Sequence, residues 1–300
     1  VARPGHPLPQ EPREQLGLAI PPTLISNDPE RIRAFLRGVA GEAIVREAVP
    51  DADEVGAIAL GETLGEADAY AIGRGFGTLI ARAGGSRVVV GYDGRISSPI
   101  LEAALVKGLN ESGIHAVRVG EGPTPMLYYA EATEQVDGGI QITGSHNPAN
   151  YNGFKMVFQG RPFFGEDIQL LGKMAAEGDW VSGSAGSNTV DIMDRYVARL
   201  VESFDGAGFR IGWDAGNGAA GPVVEKLVKL LPGEHHTLFT EVDGNFPNHH
   251  PDPTEEKNLA DLKALVAEKR LDFGVAFDGD GDRIGAIDGE GRVIWGDQLL

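Results

Sequence analysis

The sequence predicts two consecutive α/β domains with mixed, mostly parallel sheets flanked by helices. Three observations carry this. Short apolar runs alternate with longer amphipathic runs between residues 62 and 277, the pattern of strands joined by helical crossovers. One Gly- and Ser-rich stretch, 178–188, interrupts the alternation and reads as a linker between two units. Several strands run directly into loops of Gly, Asp and Ser, at the end where open α/β sheets place ligands.

Residues 1–55 stand apart. Six of the first 22 residues are proline, and charged residues follow no period. A short helix is predicted over 28–37 and loose order elsewhere. The first domain is assigned to 56–186. It opens with an amphipathic helix over 66–82, followed by a strand at 87–91 that ends in Tyr92-Asp93-Gly94-Arg95. Ser98 is predicted to cap a helix over 99–110, with Pro99 at its first position. Strands follow at 115–119 and 139–143. The second domain is assigned to 187–293, with helices over 191–204, 219–231 and 254–269. Thr254 is the expected cap of the last, where Lys257 stands in place of the Glu of a capping box. Its strands are predicted at 209–213, 237–242 and 272–277, with a turn at 216–218. Residues 294–300 read as the start of a third domain.

Composition narrows the function. Lys and Arg number 26 and Asp and Glu 44, a net charge of −18. This argues against nucleic-acid and anionic-membrane partners, but a local cluster of cations and backbone N–H groups can still hold an anionic substrate. Cysteine is absent, which removes disulfides and thiolate chemistry. No apolar run reaches the roughly 18 residues of a membrane span, and the first residues lack a signal-peptide core. A cytoplasmic location is expected. Nothing in the sequence sets an oligomeric state.

Two constellations carry chemistry. Thr143-Gly144-Ser145-His146-Asn147-Pro148 follows a strand directly, and Asn152-Gly153-Phe154-Lys155 comes soon after. A serine hydroxyl needs help to act as a nucleophile, and His146 and Lys155 are the nearby groups that can orient it or move protons. A polar turn with a surface lysine remains the plain alternative. The second constellation is Asp278-Gly279-Asp280-Gly281-Asp282-Arg283. Alternate residues of an extended loop point one way, so three carboxylates can converge. Such hard oxygens suit magnesium or calcium. An EF-hand is excluded by Arg283 at its sixth position and Gly289 at its twelfth. A solvated acidic turn is the plain alternative, and Arg283 speaks against it because it can grip phosphate beside a metal. Together the motifs specify phosphoryl transfer better than either alone.

These two motifs resemble the phosphoserine and metal loops of the α-D-phosphohexomutase family, nearest to its bacterial phosphomannomutase/phosphoglucomutase branch. Gly91–Arg95, Pro123-Thr124-Pro125, Tyr151–Lys155, Asp214–Gly218 and Asp243–Pro253 also resemble family stretches, in the family's order, from about residue 61 to 300. The resemblance implies that Ser145 carries a phosphoryl group and exchanges it with a hexose 1-phosphate or 6-phosphate of mannose or glucose through a bisphosphate. It implies magnesium on Asp278, Asp280, Asp282 and an oxygen of Ser145. His146 and Lys155 would assist proton transfer, and Arg283, Lys155 and Asn147 would contact substrate. Glucose 1,6-bisphosphate or mannose 1,6-bisphosphate would be the activator. Replacing Lys155 is expected to cost turnover but little stability.

Two departures stand out. The family's early Tyr-Asp-Ile-Arg-Gly type loop has no arginine counterpart in 54–60; Phe35–Val39 is a partial echo too far upstream. The family usually has four domains, and this chain matches the first two, so little mutase activity of its own is expected. The alternatives are a magnesium- and phosphate-binding fragment without turnover, or a serine-dependent metal phosphatase with His249-His250-Pro251-Asp252 as further ligands.

Overall fold

The computed structural model describes residues 58–59, 64–202, 204 and 208–294. The predicted helix over 28–37, the arginine-free stretch 54–57 and residues 295–300 lie outside these. In chain order the elements are β1 (Ile58–Ala59), α1 (Glu66–Arg82), β2 (Arg87–Tyr92), α2 (Ser98–Glu111), β3 (His115–Glu121), α3 (Thr124–Thr133), β4 (Gly138–Ile142), β5 (Tyr151–Asn152), β6 (Phe154–Phe158) and β7 (Arg161–Pro162). Next come α4 (Glu166–Glu177), β8 (Ser187–Thr189), α5 (Met193–Glu202), β9 (Phe209–Asp214), α6 (Gly221–Leu227) and β10 (Gly233–Leu238). A 3-10 turn (Glu256–Leu259) leads into α7 (Ala260–Lys269), then β11 (Phe273–Phe277), β12 (Ile284–Asp288) and β13 (Val293–Ile294).

The first sheet has the order β7-β6-β4-β2-β3-β8. Strands β4, β2, β3 and β8 are parallel, while β6 and β7 run antiparallel at one edge. The second sheet has the order β10-β9-β11-β12-β13, with β10, β9 and β11 parallel and β12 and β13 antiparallel. Both sheets share a plan in which a parallel block is extended by an antiparallel neighbour. β8 overlaps the end of the expected linker and lies within the range assigned to the second domain, yet it hydrogen-bonds to β3 as the edge of the first sheet.

Alternation along the strands explains why helices cover both faces of the first sheet. Val88 and Val90 of β2 face one core with Ile140, Ile142, Phe154 and Met156, covered by α1, α2 and α4. Val89 faces the other, with Val117 and Val119, against α3 and α5. In the second sheet Ala276 and Ile287 pack on Leu262 and Val266 of α7. Val223 of α6 packs into the cluster beneath α3 and α5, so the two units share apolar contact. Among the described residues no helix is long and apolar enough to cross a membrane.

Several local expectations change. Helix α3 was not foreseen, because Pro123 and Pro125 look like loop residues; both lie at its entry, where the ring costs no hydrogen bond. Ser98 does not cap α2. Its hydroxyl donates to Asp93 Oδ1 at 2.6 Å instead. Thr254 does not cap a helix either: its backbone N–H and hydroxyl both donate to Asp252 Oδ1. β10 lies at 233–238, earlier than the predicted 237–242, and pairs with β9 from Gly233 onward. α6 ends at Leu227, short of the predicted residue 231.

Phe76 of α1 joins three pieces of the first core. Its ring meets Phe158 of β6 at 5.9 Å and Phe163 at 5.4 Å, both edge-on. Phe76→Ala should lower the unfolding free energy by about 3–5 kcal/mol, measured by urea denaturation. A loss below about 1 kcal/mol would show that the core closes over the gap.

Candidate functional site

Both chemistry-bearing loops occupy the same place in their sheets. Each leaves the carboxyl end of a parallel strand and returns as an antiparallel neighbour. The Ser145 loop joins β4 to β6, closing where Ile142 faces Phe154. The aspartate loop joins β11 to β12, closing where Phe277 faces Ile284. The two loops meet backbone to backbone. A Cβ on Gly279 would collide with the carbonyl oxygen of Ser145, so only glycine permits this approach.

Ser145 sits at φ 49°, an uncommon conformation for a residue with a side chain. Its N–H donates to Thr143 Oγ1 at 2.8 Å. Its hydroxyl donates to Asp278 Oδ2 at 3.0 Å, across the boundary between the sheets. The other oxygen of Asp278 accepts from the N–H groups of Asp282 and Arg283, both at 3.0 Å, and so fixes the loop's own turn. Asp280 is completely buried. Its Oδ2 accepts from Lys155 Nζ at 2.7 Å and from the hydroxyl of Thr124. Helix α3 begins at Thr124, and its first N–H donates to the Asp280 carbonyl at 2.8 Å. Lys155 also donates to Asp282 Oδ2 at 2.6 Å. This lysine projects from the opposite face of β6 to Phe154 and Met156, which are in the core.

Asp278, Asp280 and Asp282 each offer an oxygen within 4.8 Å of the others, the single such acidic or imidazole cluster among the described residues. Burial, then the charges of Asp280 and Asp282, push the Asp278 carboxyl well above its ordinary range. Burial also acts upward on Asp280, but the Lys155 ammonium more than offsets it and holds that carboxyl below its usual range. Burial alone would lower the Lys155 ammonium, and the two carboxylates reverse this, keeping it charged far above neutral pH. Asp280 Oδ1 is buried without a partner. An orphaned carboxylate oxygen beside two further carboxylates is a donor set that fits a hard divalent cation.

His146 and Arg283 form the outer wall. Arg283 Nη1 donates to His146 Nδ1 at 2.8 Å, and that nitrogen lies 3.5 Å from Ser145 Oγ. An atom that accepts from arginine carries a lone pair, so the imidazole is neutral there. Burial and the neighbouring Arg283 both hold its pKa below the ordinary value. Asn147, also among the eight predicted site residues, is buried and placed through its backbone: its N–H donates to Gly144 and its carbonyl accepts from Arg95. Three participants escaped the sequence reading as site residues: Thr124, Asp93 and Arg95. The available signal was Asp-Gly-Arg at a strand end and a threonine between two prolines at a helix start.

Behind the aspartate loop, His249 Nε2 lies 3.0 Å from Asp214 Oδ2, and its Nδ1 lies 3.0 Å from the His250 carbonyl. Both partners accept, so this geometry favours the doubly protonated ring. His249 thus spends both nitrogens on a loop support.

Residues 50–181 match the phosphoglucomutase/phosphomannomutase alpha/beta/alpha domain I, and residues 194–291 match its domain II. The phosphomannomutase/phosphoglucomutase of Pseudomonas putida is 44% identical over 242 residues, covering 80% of this chain and 52% of that protein. A phosphoglucomutase of Neisseria gonorrhoeae is 43% identical over 244 residues, covering 80% and 53%. The crystal structure of a phosphoglucomutase/phosphomannomutase family protein from Burkholderia thailandensis aligns with a TM-score of 0.79 at 42% identity, covering 81% of this chain and 55% of that one. The chain thus spans about half the length of the curated relatives it matches.

Lys155 is the counter-charge of two carboxylates, so its replacement is now expected to cost stability as well as turnover. Lys155→Met should lose about 3 kcal/mol in metal-free urea denaturation, and magnesium should restore part of it. Unchanged stability would show that the carboxylates relieve themselves by protonation.

Burial acts downward on His249, but the Asp214 hydrogen bond and charge outweigh it, so its pKa is raised on folding. Its contribution to stability is full below the unfolded value of about 6.5 and is lost as pH rises through the folded value. The urea midpoint should therefore fall with rising pH above about 6.5 in the parent protein, and fall less in His249→Gln. Parallel curves would remove His249 from the pH dependence.

Proposed function

The chain belongs to the phosphoglucomutase/phosphomannomutase family, and from that premise we propose that it carries the phosphoryl-transfer end of an enzyme interconverting hexose 1-phosphate and hexose 6-phosphate of mannose or glucose. One observation carries the reading: the buried Ser145 hydroxyl donates to Asp278 at 3.0 Å, at the edge of a three-carboxylate cluster. A serine used only as a turn residue would not be brought from one sheet onto the metal-type ligands of another.

In this reading Asp278, Asp280, Asp282 and an oxygen on Ser145 would hold magnesium, which would neutralise charge on the transferring phosphoryl group. Phosphorylated Ser145 gives its phosphoryl group to a free hydroxyl of the hexose monophosphate. The O–P bond to Ser145 breaks as the O–P bond to the sugar forms, giving a bisphosphate. In the reverse step the other phosphoryl group returns to Ser145. His146 suits proton transfer, since it is neutral and lies 3.5 Å from Ser145 Oγ. Lys155, held as an ammonium by two carboxylates, suits orientation of phosphate rather than proton abstraction. Arg283 is exposed and can leave His146 to grip the incoming phosphate. The expected substrate contact of Asn147 draws no support from the geometry, since the residue is buried and its backbone is engaged within the loop. Glucose 1,6-bisphosphate or mannose 1,6-bisphosphate would load Ser145 as activator. The phosphatase alternative has less support, because His249 is committed to Asp214.

The protein should take up one phosphoryl group at Ser145 when treated with glucose 1,6-bisphosphate and magnesium, located by peptide mass spectrometry. Asp280→Asn should slow this by about a hundredfold or more. Phosphate on another serine, with Ser145 bare, would overturn the assignment.

A further inference from the structure

Arg95 has no part in the chemistry proposed above, yet it is the largest completely buried side chain among the described residues. Its guanidinium has five N–H donors, and all five are used. Nε donates to Asp93 Oδ2 at 3.1 Å. Nη1 donates to the carbonyls of Pro148 and Tyr151, the latter at 3.0 Å. Nη2 donates to the carbonyls of Ser145 at 2.9 Å and Asn147 at 2.7 Å. Four of its five acceptors are thus backbone oxygens of the loop that carries Ser145. Asp93 completes the frame: its Oδ2 also accepts from the N–H of Gly144 at 3.1 Å. A Cβ on Gly144 would run into the guanidinium, so the loop is built around the arginine.

The other face of Arg95 belongs to the second unit. The ring of Phe246 lies 5.3 Å from the guanidinium carbon. Phe246 is held at φ 50°, a strained conformation for a bulky residue. Its N–H donates to Asp243 at 2.9 Å, and the N–H of Asp243 donates to Asn217 at 3.0 Å, itself at φ 58°. A strained phenylalanine and a left-handed asparagine therefore stand behind one aromatic contact, and Ser145, also at positive φ, is fixed in front of it. Stability alone does not account for this. Burial raises the Asp93 carboxyl and lowers the Arg95 guanidinium relative to their ordinary values, so both charges are carried at a cost in desolvation.

We propose that Arg95 is a positioning residue for phosphoryl transfer: it holds the 145–151 backbone so that Ser145 meets Asp278, and through Phe246 it ties that placement to the second unit. This rests on the mutase reading for its kinetic consequence, and on the geometry alone for its structural one. Arg95→Lys keeps a charge beside Asp93 but has too few donors for four carbonyls. Phe246→Leu keeps all five hydrogen bonds and removes the ring.

The test uses the whole chain. Hydrogen exchange followed by mass spectrometry should show faster exchange over 144–151 in Arg95→Lys, with β2, α1 and α7 unchanged. Ser145 loading should slow about a hundredfold at saturating glucose 1,6-bisphosphate, with the half-saturating concentration little changed. Phe246→Leu should unfold cooperatively like the parent and load roughly threefold to tenfold more slowly. That variant carries the test if Arg95→Lys does not fold. Parent-like exchange and loading in the folded variants would overturn the proposal, as would a slowing confined to the half-saturating concentration. Exchange is read without phosphoryl transfer. A parent protein that takes no phosphate thus counts against the mutase reading, whereas parent-like exchange in the variants counts against the clamp.

Discussion

Three carboxylates drawn together, two of them out of water, must be held by positive charge, and this constraint organises the site. Without compensation, Asp278, Asp280 and Asp282 would repel one another at a separation where protein interiors screen poorly. The chain answers with Lys155, which spans Asp280 and Asp282, and with N–H groups from Asp282 and Arg283 that satisfy one oxygen of Asp278. The Thr124 hydroxyl donates to the Asp280 carboxylate, and the first N–H of α3 holds the Asp280 backbone carbonyl. What remains unsatisfied is Asp280 Oδ1 and the unfavourable charge on Asp278. Those are the features a divalent cation relieves, so the pocket is folded around a charge deficit.

The fold supplies that arrangement through one device used twice. A parallel strand carries the chain to the carboxyl edge of the sheet, and an antiparallel return brings it back within a short loop. A crossover helix at either position would carry the chain away from the edge. The return keeps each loop short, with both ends anchored in hydrogen-bonded register. It also places Lys155 on the returning strand, one residue beyond Phe154, so core packing on one face aims the ammonium on the other. Two such loops, face to face, can share a hydrogen bond of 3.0 Å between Ser145 and Asp278.

Much of this was legible in the sequence because it depends on local rules. The helix over 66–82 and the strands beginning at 87, 115 and 209 follow from periodicity, and the structure has them there. The two motifs stand at strand ends, and their residues meet. What was not legible depends on long-range partners. Ser98 and Thr254 have the right chemistry for caps, but Asp93 and Asp252 compete for their hydroxyls. α3 was hidden because the prolines that mark its start also mark loops. Strand 233–238 is set by pairing with β9 rather than by its own polar sequence, Gly233-Glu234-His235-His236. Lys155 was seen as chemistry and not as structure, since the carboxylates it neutralises lie more than a hundred residues away.

Several expensive features of the molecule come together where the two loops meet. Ser145, Asn217 and Phe246 are three of the seven non-glycine residues at positive φ among the described residues, Arg95 and Asp93 are charged and buried, and Asp278 is crowded. Each costs folding free energy of order 1 kcal/mol or more. The two valine-, leucine- and isoleucine-rich cores of the first sheet and the core under α7 must offset them. A chain selected for stability alone would replace buried charges with apolar groups of similar size. Their placement around one serine hydroxyl argues that precision at that atom is what the surrounding stability supports. The same logic accommodates the net charge of −18. The distant acidic surface is screened within about 10 Å at ordinary ionic strength, so what an anionic ligand meets at the two loops is set by the local balance of Lys155 and Arg283 against the three carboxylates.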